Sequence, residues 1–230
     1  MKILVACEYS GIVRDAFENA GWDAWSCDLL PTESEQTRVA NKHYEGNVLE
    51  ILDFHVRDIE RNMPEYWDLL IGHPPCTYLS FAYTGKERYS NERLQQKINA
   101  YQFFLDLWRA PIEHICLENP FGYIHSGLLP YTQKVEPYYW GEEFGEDYCK
   151  RTCLWLKNLP PLTHSKTDTL FEKGQEVECN RIFVDTQPKN KLKNRKKVIK
   201  NWASSKERSK FHKGIAKAMA EQWTEYIKNK

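Results

Sequence analysis

The sequence lacks any apolar run approaching the roughly 18 residues that a membrane-spanning helix needs, so no such helix is expected. It lacks a basic-then-apolar leader: Met1 is followed at once by the strand-like Lys2-Ile3-Leu4-Val5-Ala6-Cys7, which points away from a secretory signal. It lacks a compact cysteine pattern. Seven cysteines, an odd number without close spacing, fit a reducing compartment better than a disulfide framework, and a cytoplasmic location is expected. Internal repeats are also missing. What remains is 230 residues at 41% hydrophobic and 28% charged, an ordinary globular composition long enough for one domain, or one domain with a small appendage, around a sizeable core.

Net charge is zero, with 32 Lys+Arg against 32 Asp+Glu, but the charge is unevenly placed. Residues 1–188 hold 18 Lys+Arg against 29 Asp+Glu, a net of −11, and residues 189–230 hold 14 against 3, a net of +11. A basic end on an acidic body suits a polyanion contact, although a solvated basic helix or loop has the same composition.

Short apolar runs alternate with helical stretches over the first 120 residues. Strands are expected at Lys2–Cys7, Asp23–Asp28, Trp67–Gly72 and His114–Leu117. Helices are expected at Ile12–Ala20, ended by Gly21, across Val48–Asn62, and at Asn91–Arg109. Pro31–Asn41 reads as a loop, Thr152–Leu156 as a strand near a sheet edge, and Gly214–Ile227 as a closing helix. Residues 163–210 are polar, basic and poor in apolar periodicity. Apolar strands alternating with helices are the pattern of a parallel α/β sheet covered on both faces.

In such sheets ligands bind beyond the carboxyl ends of the strands. The informative residues are therefore Glu8-Tyr9-Ser10-Gly11, Asp28, Gly46-Asn47, His73-Pro74-Pro75-Cys76 and Glu118-Asn119-Pro120. Two prolines hold Cys76 rigidly outside the sheet, as a candidate nucleophile or as an inert thiol. Glu118 ends the next strand, where a carboxylate serves as acid, base or turn cap. Asp28 is either a ribose-binding acid or a turn residue before Pro31. Cys149, Cys153 and Cys179 lack a clear fourth partner at zinc spacing, and no metal is expected.

The segment Asp68-Leu69-Leu70-Ile71-Gly72-His73-Pro74-Pro75-Cys76-Thr77-Tyr78-Leu79-Ser80 resembles the catalytic segment of DNA cytosine-5 methyltransferases. Leu117-Glu118-Asn119-Pro120 is similar to that family's Glu-Asn-Val segment, and Tyr9-Ser10-Gly11-Ile12 to its cofactor loop. Gly46-Asn47-Val48 stands where the family has Gly-Asp-Ile, and His212–Ala220 resembles its final helix. The resemblance spans residues 1–156 and 210–227, with the motifs in the family's order. The chain departs from the pattern at Glu8, at Val13-Arg14 in place of glycines, at Asn47 in place of an acid, and at Cys149-Lys150-Arg151-Thr152, a reduced Gln-x-Arg-x-Arg segment.

The resemblance implies a Rossmann-like S-adenosylmethionine-dependent methyltransferase fold, with a mostly parallel central sheet and helices on both faces. Residues 1–156 would be the catalytic core, 157–210 a short basic region contacting nucleic acid, and 211–230 a helix packing back on the core. The implied activity is methylation of cytosine C5 in DNA, most readily duplex DNA, through a Cys76 adduct at C6 with Glu118 at N3 and Arg151 at O2. S-adenosylmethionine would be held by Tyr9, Ser10, Gly11, Asp28, Asn47 and Pro74. Lys191, Lys193, Arg195, Lys196 and Lys197 would grip phosphates. No membrane and no obligate protein partner is implied, and the small size suits a bacteriophage or mobile element. Two other readings stay open: the same fold modifying a free pyrimidine nucleotide or a single strand, and a catalytically silent nucleic-acid-binding protein.

Overall fold

The computed structural model describes residues 1–52, 63–81, 90–146, 148–164, 182–183, 198–199 and 209–230. A seven-stranded sheet runs through them in the order β3-β2-β1-β4-β5-β7-β6, built from β1 (Lys2–Ala6), β2 (Asp23–Asp28), β3 (His43–Glu45), β4 (Leu69–Gly72), β5 (His114–Pro120), β6 (Gln133–Val135) and β7 (Thr152–Lys157). The first five strands pair in parallel, β1 with β2 and β4, β2 with β3, and β4 with β5. Only β7 runs against its neighbours β5 and β6. The 3-2-1-4-5 portion is the order of a doubly wound Rossmann sheet. The fold is therefore Rossmann-like, as expected.

Parallel strands buried on both faces read as continuous apolar runs, and Ile3, Leu4, Val5, Leu69, Leu70 and Ile71 are all fully buried. Alternate residues feed two cores. Ile3, Val5, Leu69 and Ile71 meet α1 (Ile12–Asn19) and the closing helix α6 (Lys213–Lys228) through Val13, Phe17, Ile215, Met219 and Trp223. Leu4, Leu70, Ile115 and Leu117 meet α3 (Leu49–Leu52) and α4 (Asn91–Trp108) through Ile51, Phe104 and Leu107. A strap after β7 belongs to the first layer: Trp223 Nε1 donates to the Pro160 carbonyl at 2.9 Å, and Gln222 Nε2 to that of Thr163 at 2.8 Å.

Several expectations are corrected. Pro31–Asn41 contains a short helix, α2 (Glu35–Val39), because the Ser34 hydroxyl accepts from the Thr37 N–H at 3.0 Å and caps it. β5 continues through Glu118-Asn119-Pro120 because the reversed β7 offers a ladder opposite those residues. β7 lies next to the sheet edge, as expected, and the edge itself is β6, three residues whose sequence carries no strand signal. β1 stops at Ala6 because Cys7 turns into the left-handed region at φ 59°. The helix expected across Val48–Asn62 is described at Leu49–Leu52; residues 53–62 lie outside the described residues. A further helix, α5 (Tyr123–Gly127), and two short 3₁₀ turns at Pro137–Tyr139 and Glu142–Phe144 connect β5, β6 and β7. A separate two-stranded parallel ladder pairs β8 (Ile182–Phe183) with β9 (Val198–Ile199).

Candidate active site

The parallel register sets the site. Ala6 pairs with Gly72 and Gly72 with Leu117, so Cys7, His73 and Glu118 stand side by side one residue further along β1, β4 and β5. The His73 N–H donates to the Ala6 carbonyl at 3.0 Å, which keeps the row in register as β4 ends. His73 Nδ1 lies 3.3 Å from Glu118 Oε2, and the His73 ring packs on Phe211 at 4.6 Å. Among the described residues its buried Nε2 has no hydrogen-bond partner.

Beyond His73 the two prolines set the path of the chain. Asn119 Nδ2 donates to the Pro74 carbonyl at 2.6 Å and ties the turn to β5. The Cys76 carbonyl accepts from the Leu79 and Ser80 N–H groups at 3.0 and 2.9 Å, closing a single helical turn with Cys76 at its head. That turn is clamped from behind by the Tyr123 N–H, which donates to the Leu79 carbonyl at 2.8 Å, and by an antiparallel bridge between Ser80 and Gly122. A Cβ on Gly122 would collide with the Leu79 carbonyl oxygen, so the clamp needs glycine there. Cys76 is left exposed on a braced turn. The other thiols are unlike it: burial pushes Cys7 up to about 12, helped by the Asp28 charge, and raises Cys27 and Cys116 strongly. Arg151 enters β7 opposite the end of β5, with its guanidinium 6.0 Å from the Phe121 ring.

The residues expected to hold a cofactor lie at or after the ends of four strands, β1, β2, β3 and β4. Gly11 adopts φ +74°, where a side chain is strained and would also strike Ser34. The Tyr9 hydroxyl meets Ser209 Oγ at 2.9 Å and joins the β1 loop to the segment ahead of α6. Asp28 closes β2, its Oδ1 accepting from the Leu30 N–H at 2.9 Å. Asn47 is exposed after β3, its Oδ1 accepting from the Leu49 N–H at 3.2 Å. Pro74 is buried against β5 through its carbonyl. Lys191, Lys193, Arg195, Lys196 and Lys197 lie outside the described residues, as do Cys179 and Trp202. Among the described residues no group of three or more His, Cys, Asp or Glu is placed to hold a metal ion.

Glu8 is the residue whose part was not anticipated. It is buried, its Oε1 accepts from the Val13 N–H at 2.7 Å and its Oε2 from the Arg14 N–H at 3.1 Å, and Ser10 Oγ donates to Oε1 at 3.2 Å. The carboxylate thus satisfies the first free N–H groups of α1, the place where Rossmann turns hold a phosphate. Burial raises its pKa against the opposing pull of the His73 charge and these hydrogen bonds. Arg14, in place of a glycine, faces away from the loop: its Nε donates to the Ala24 carbonyl at 2.9 Å and its guanidinium pairs with Asp15 and Glu18, both at 2.9 Å. The Glu18 contact is close enough for an ion pair but off the axis of a good hydrogen bond.

A groove of about 610 Å³ lies between α1 and α6, lined among others by Ser10, Ile12, Ala16, Phe144 and Lys217. Of the residues expected to hold a cofactor it reaches Ser10, and it contains neither Cys76, Glu118 nor Asp28.

No family model matches the chain, and no curated protein matches it. Solved structures do. A protein described as a DNA modification methyltransferase encoded within an E. coli prophage is 16% identical, with a TM-score of 0.43 over 68% of this chain and 46% of its own. The S. pombe Dnmt2 methyltransferase is 15% identical, with a TM-score of 0.43 over 70% of this chain and 52% of its own. A mutant of Spodoptera frugiperda DNMT2 is 16% identical, with a TM-score of 0.37 over 73% of this chain and 53% of its own. This chain spans about half the length of the solved structures it matches.

Proposed function

We propose that the chain transfers a methyl group from S-adenosylmethionine to C5 of cytosine in DNA, with Cys76 as the covalent nucleophile. The observation that carries the reading is the exposed Cys76 on a braced Pro-Pro turn after β4, with His73, just past β4, paired to Glu118 within β5. The residues divide the chain into a core at 1–156, a nucleic-acid-contacting region at 157–210 and a closing helix at 211–230.

The Cys76 thiolate adds to C6 of the ring, and the electron pair displaced toward C5 makes that carbon a nucleophile. Glu118 meets N3, donating the proton that neutralises the charge building on the ring, and Arg151 faces the O2 edge. His73 is a positioning residue: its Nδ1 contact with Glu118 Oε2 fixes the carboxyl group. Loss of the C5 proton to water leaves its electron pair to re-form the C5–C6 double bond and expel the Cys76 thiolate, and the N3 proton returns to Glu118. The target base leaves the helix stack to reach such a turn.

S-adenosylmethionine, when bound, supplies an electrophilic methyl group on a positive sulfur. The donor set fits it. Glu8 occupies the N–H groups that a pyrophosphate would need, which disfavours a dinucleotide, whereas a phosphate-free cation suits the carboxylates Asp28 and Glu118 on β2 and β5. Asp28 ends β2, where an acid would meet ribose hydroxyls, and the other residues of the set follow nearby strands, Tyr9, Ser10 and Gly11 after β1, Asn47 after β3 and Pro74 after β4.

The test is calorimetric titration of cofactor-free protein with S-adenosylmethionine, then trapping of Cys76 on DNA containing 5-fluorocytosine. Micromolar binding and an adduct mapped to Cys76 are expected. A folded, cofactor-free sample that binds no S-adenosylmethionine refutes the assignment.

A further inference from the structure

The face beside Cys76 carries a second cluster of which the proposed methyl transfer uses only Arg151. Phe81 follows the Cys76 turn and Phe121 follows β5, and the two are 43% and 36% exposed. Their rings meet edge to face at 5.8 Å, and Tyr123 joins Phe81 at 4.6 Å. The Ser80–Gly122 bridge that braces Cys76 also holds these rings side by side, so the aromatic ledge and the thiol share one scaffold.

Cations stand over the same rings. The Lys97 Nζ is 3.3 Å from the centre of Tyr123, and the Arg93 guanidinium is 5.0 Å from that of Tyr78, with its NH2 donating to the Thr77 carbonyl at 3.3 Å. Arg93 and Lys97 are one turn apart on α4, so they form a stripe, and Arg151 closes the far end over Phe121. Among the described residues neither Lys97 nor Arg151 has a carboxylate within ion-pair distance, although the body of the chain is acidic.

Exposed rings offer flat faces, and cations spaced among them offer charge, which together match a ligand alternating planar bases with phosphates. A closed duplex presents phosphates but keeps its base faces stacked, leaving the rings without a use. An apolar protein partner would leave the cations without one.

We propose that this aromatic and cationic ledge binds a single-stranded stretch of DNA next to the target cytosine, its bases stacking on Phe81 and Phe121. The ledge takes its target base from the Cys76 reading, but strand binding itself needs no chemistry. It also selects the unpaired strand over the duplex as the form presented to Cys76.

The experiment uses the full chain as Cys76→Ser, so that binding is measured without reaction. Fluorescence anisotropy compares a labelled single-stranded pyrimidine oligonucleotide with a matched duplex, for Cys76→Ser alone and with Phe81→Ala and Phe121→Ala added. Single-strand affinity is expected to fall roughly tenfold or more, while duplex affinity, carried by phosphate contacts elsewhere, moves less than about twofold. Phe81→Trp with Phe121→Trp is expected to keep single-strand binding. An unchanged single-strand affinity overturns the proposal. So does a parallel loss on both ligands in a variant whose melting transition is unchanged. Adduct trapping on the protein with both phenylalanines intact reads the methyl-transfer assignment separately: ledge binding without an adduct refutes that assignment alone, and an adduct without ledge binding refutes the ledge alone.

Discussion

His212 should make the fold acid-sensitive by a calculable amount. It caps the start of α6, is 5% exposed, and its Nδ1 lies 3.1 Å from the Tyr148 hydroxyl and 4.0 Å from Glu146 Oε1. Burial, then the nearby Lys150 and His73 charges, hold its pKa down at about 3 instead of 6.5. Glu146, whose carboxylate accepts from the Lys213 and Gly214 N–H groups, is pushed up by burial, so the 4.0 Å contact is not a charged pair that rescues either partner. Tyr148, raised to about 12 by burial and by Glu146, stays a phenol and donates to the neutral ring. The unfolded chain protonates His212 below pH 6.5 and the folded chain only near pH 3, so the unfolded state holds more protons between those limits and stability falls with acid. At about 1.4 kcal/mol per pH unit, the loss from pH 7 to pH 5 is about 2 kcal/mol, and about 4 kcal/mol by pH 3, where the folded ring begins to protonate, a large part of a small domain's whole stability. Glu8 and Glu146 act in the opposite sense: their pKa values are raised, so their contribution is full below the ordinary carboxylate range and lost as pH rises through the folded values. Comparing the protein with His212→Gln removes that background, because Gln keeps an acceptor for Tyr148 and does not titrate. Urea unfolding at about pH 7 and about pH 5 should show the parent losing about 2 kcal/mol more than the variant. Equal losses in both would refute the burial argument.

Two further outcomes follow from the same geometry. Arg14→Leu removes a fully buried guanidinium that holds the Ala24 carbonyl, Asp15 and Glu18, and should cost about 3–5 kcal/mol in denaturant unfolding; a cost below about 1 kcal/mol would show that the network is not structural. Iodoacetamide near pH 8, with the labelled sites mapped by mass spectrometry, should modify Cys76 well before Cys7 and Cys153, whose thiols burial raises to about 12, and labelling of Cys7 at the rate of Cys76 would contradict the burial assigned to it.

The parts of the fold legible in sequence were those stabilised by apolar runs. Lys2–Ala6, Asp23–Asp28 and Leu69–Gly72 bury nearly every side chain, and α6 shows its buried face through Ile215, Met219 and Trp223. The missed elements rest on something other than hydrophobicity. α2 depends on one serine hydroxyl, β3 spans three residues from His43, and β6 exists because β7 offers it a partner. The site divides the same way. Cys76 and Glu118 stand out in the sequence because carboxyl ends of parallel strands collect functional groups, and the structure places them beyond β4 and toward the end of β5. The packing of Phe211 on His73, and the reach of Tyr148 to His212 across 64 positions, have no local spacing that announces them.

Glu8 and Arg14 show how a strand-to-helix loop can be held by the chain's own charges. Glycines at the start of such a helix leave its first N–H groups open, to be satisfied by a ligand or by water. Here the chain supplies its own anion. Glu8 takes the Val13 and Arg14 N–H groups, and the Arg14 side chain, freed from the loop, is used to hold α1 against β2. The exchange makes the turn rigid before any ligand arrives, and it narrows what can bind. A phosphate would have to displace a buried carboxylate and leave it unpaired, at a cost of several kcal/mol. A ligand without phosphate has no such conflict. The Tyr9 and Gly11 carbonyls are likewise taken by the chain itself, accepting from the Glu33 and Asp15 N–H groups at 2.8 Å each, so Glu8 and these two bonds together fix the shape of the loop from within.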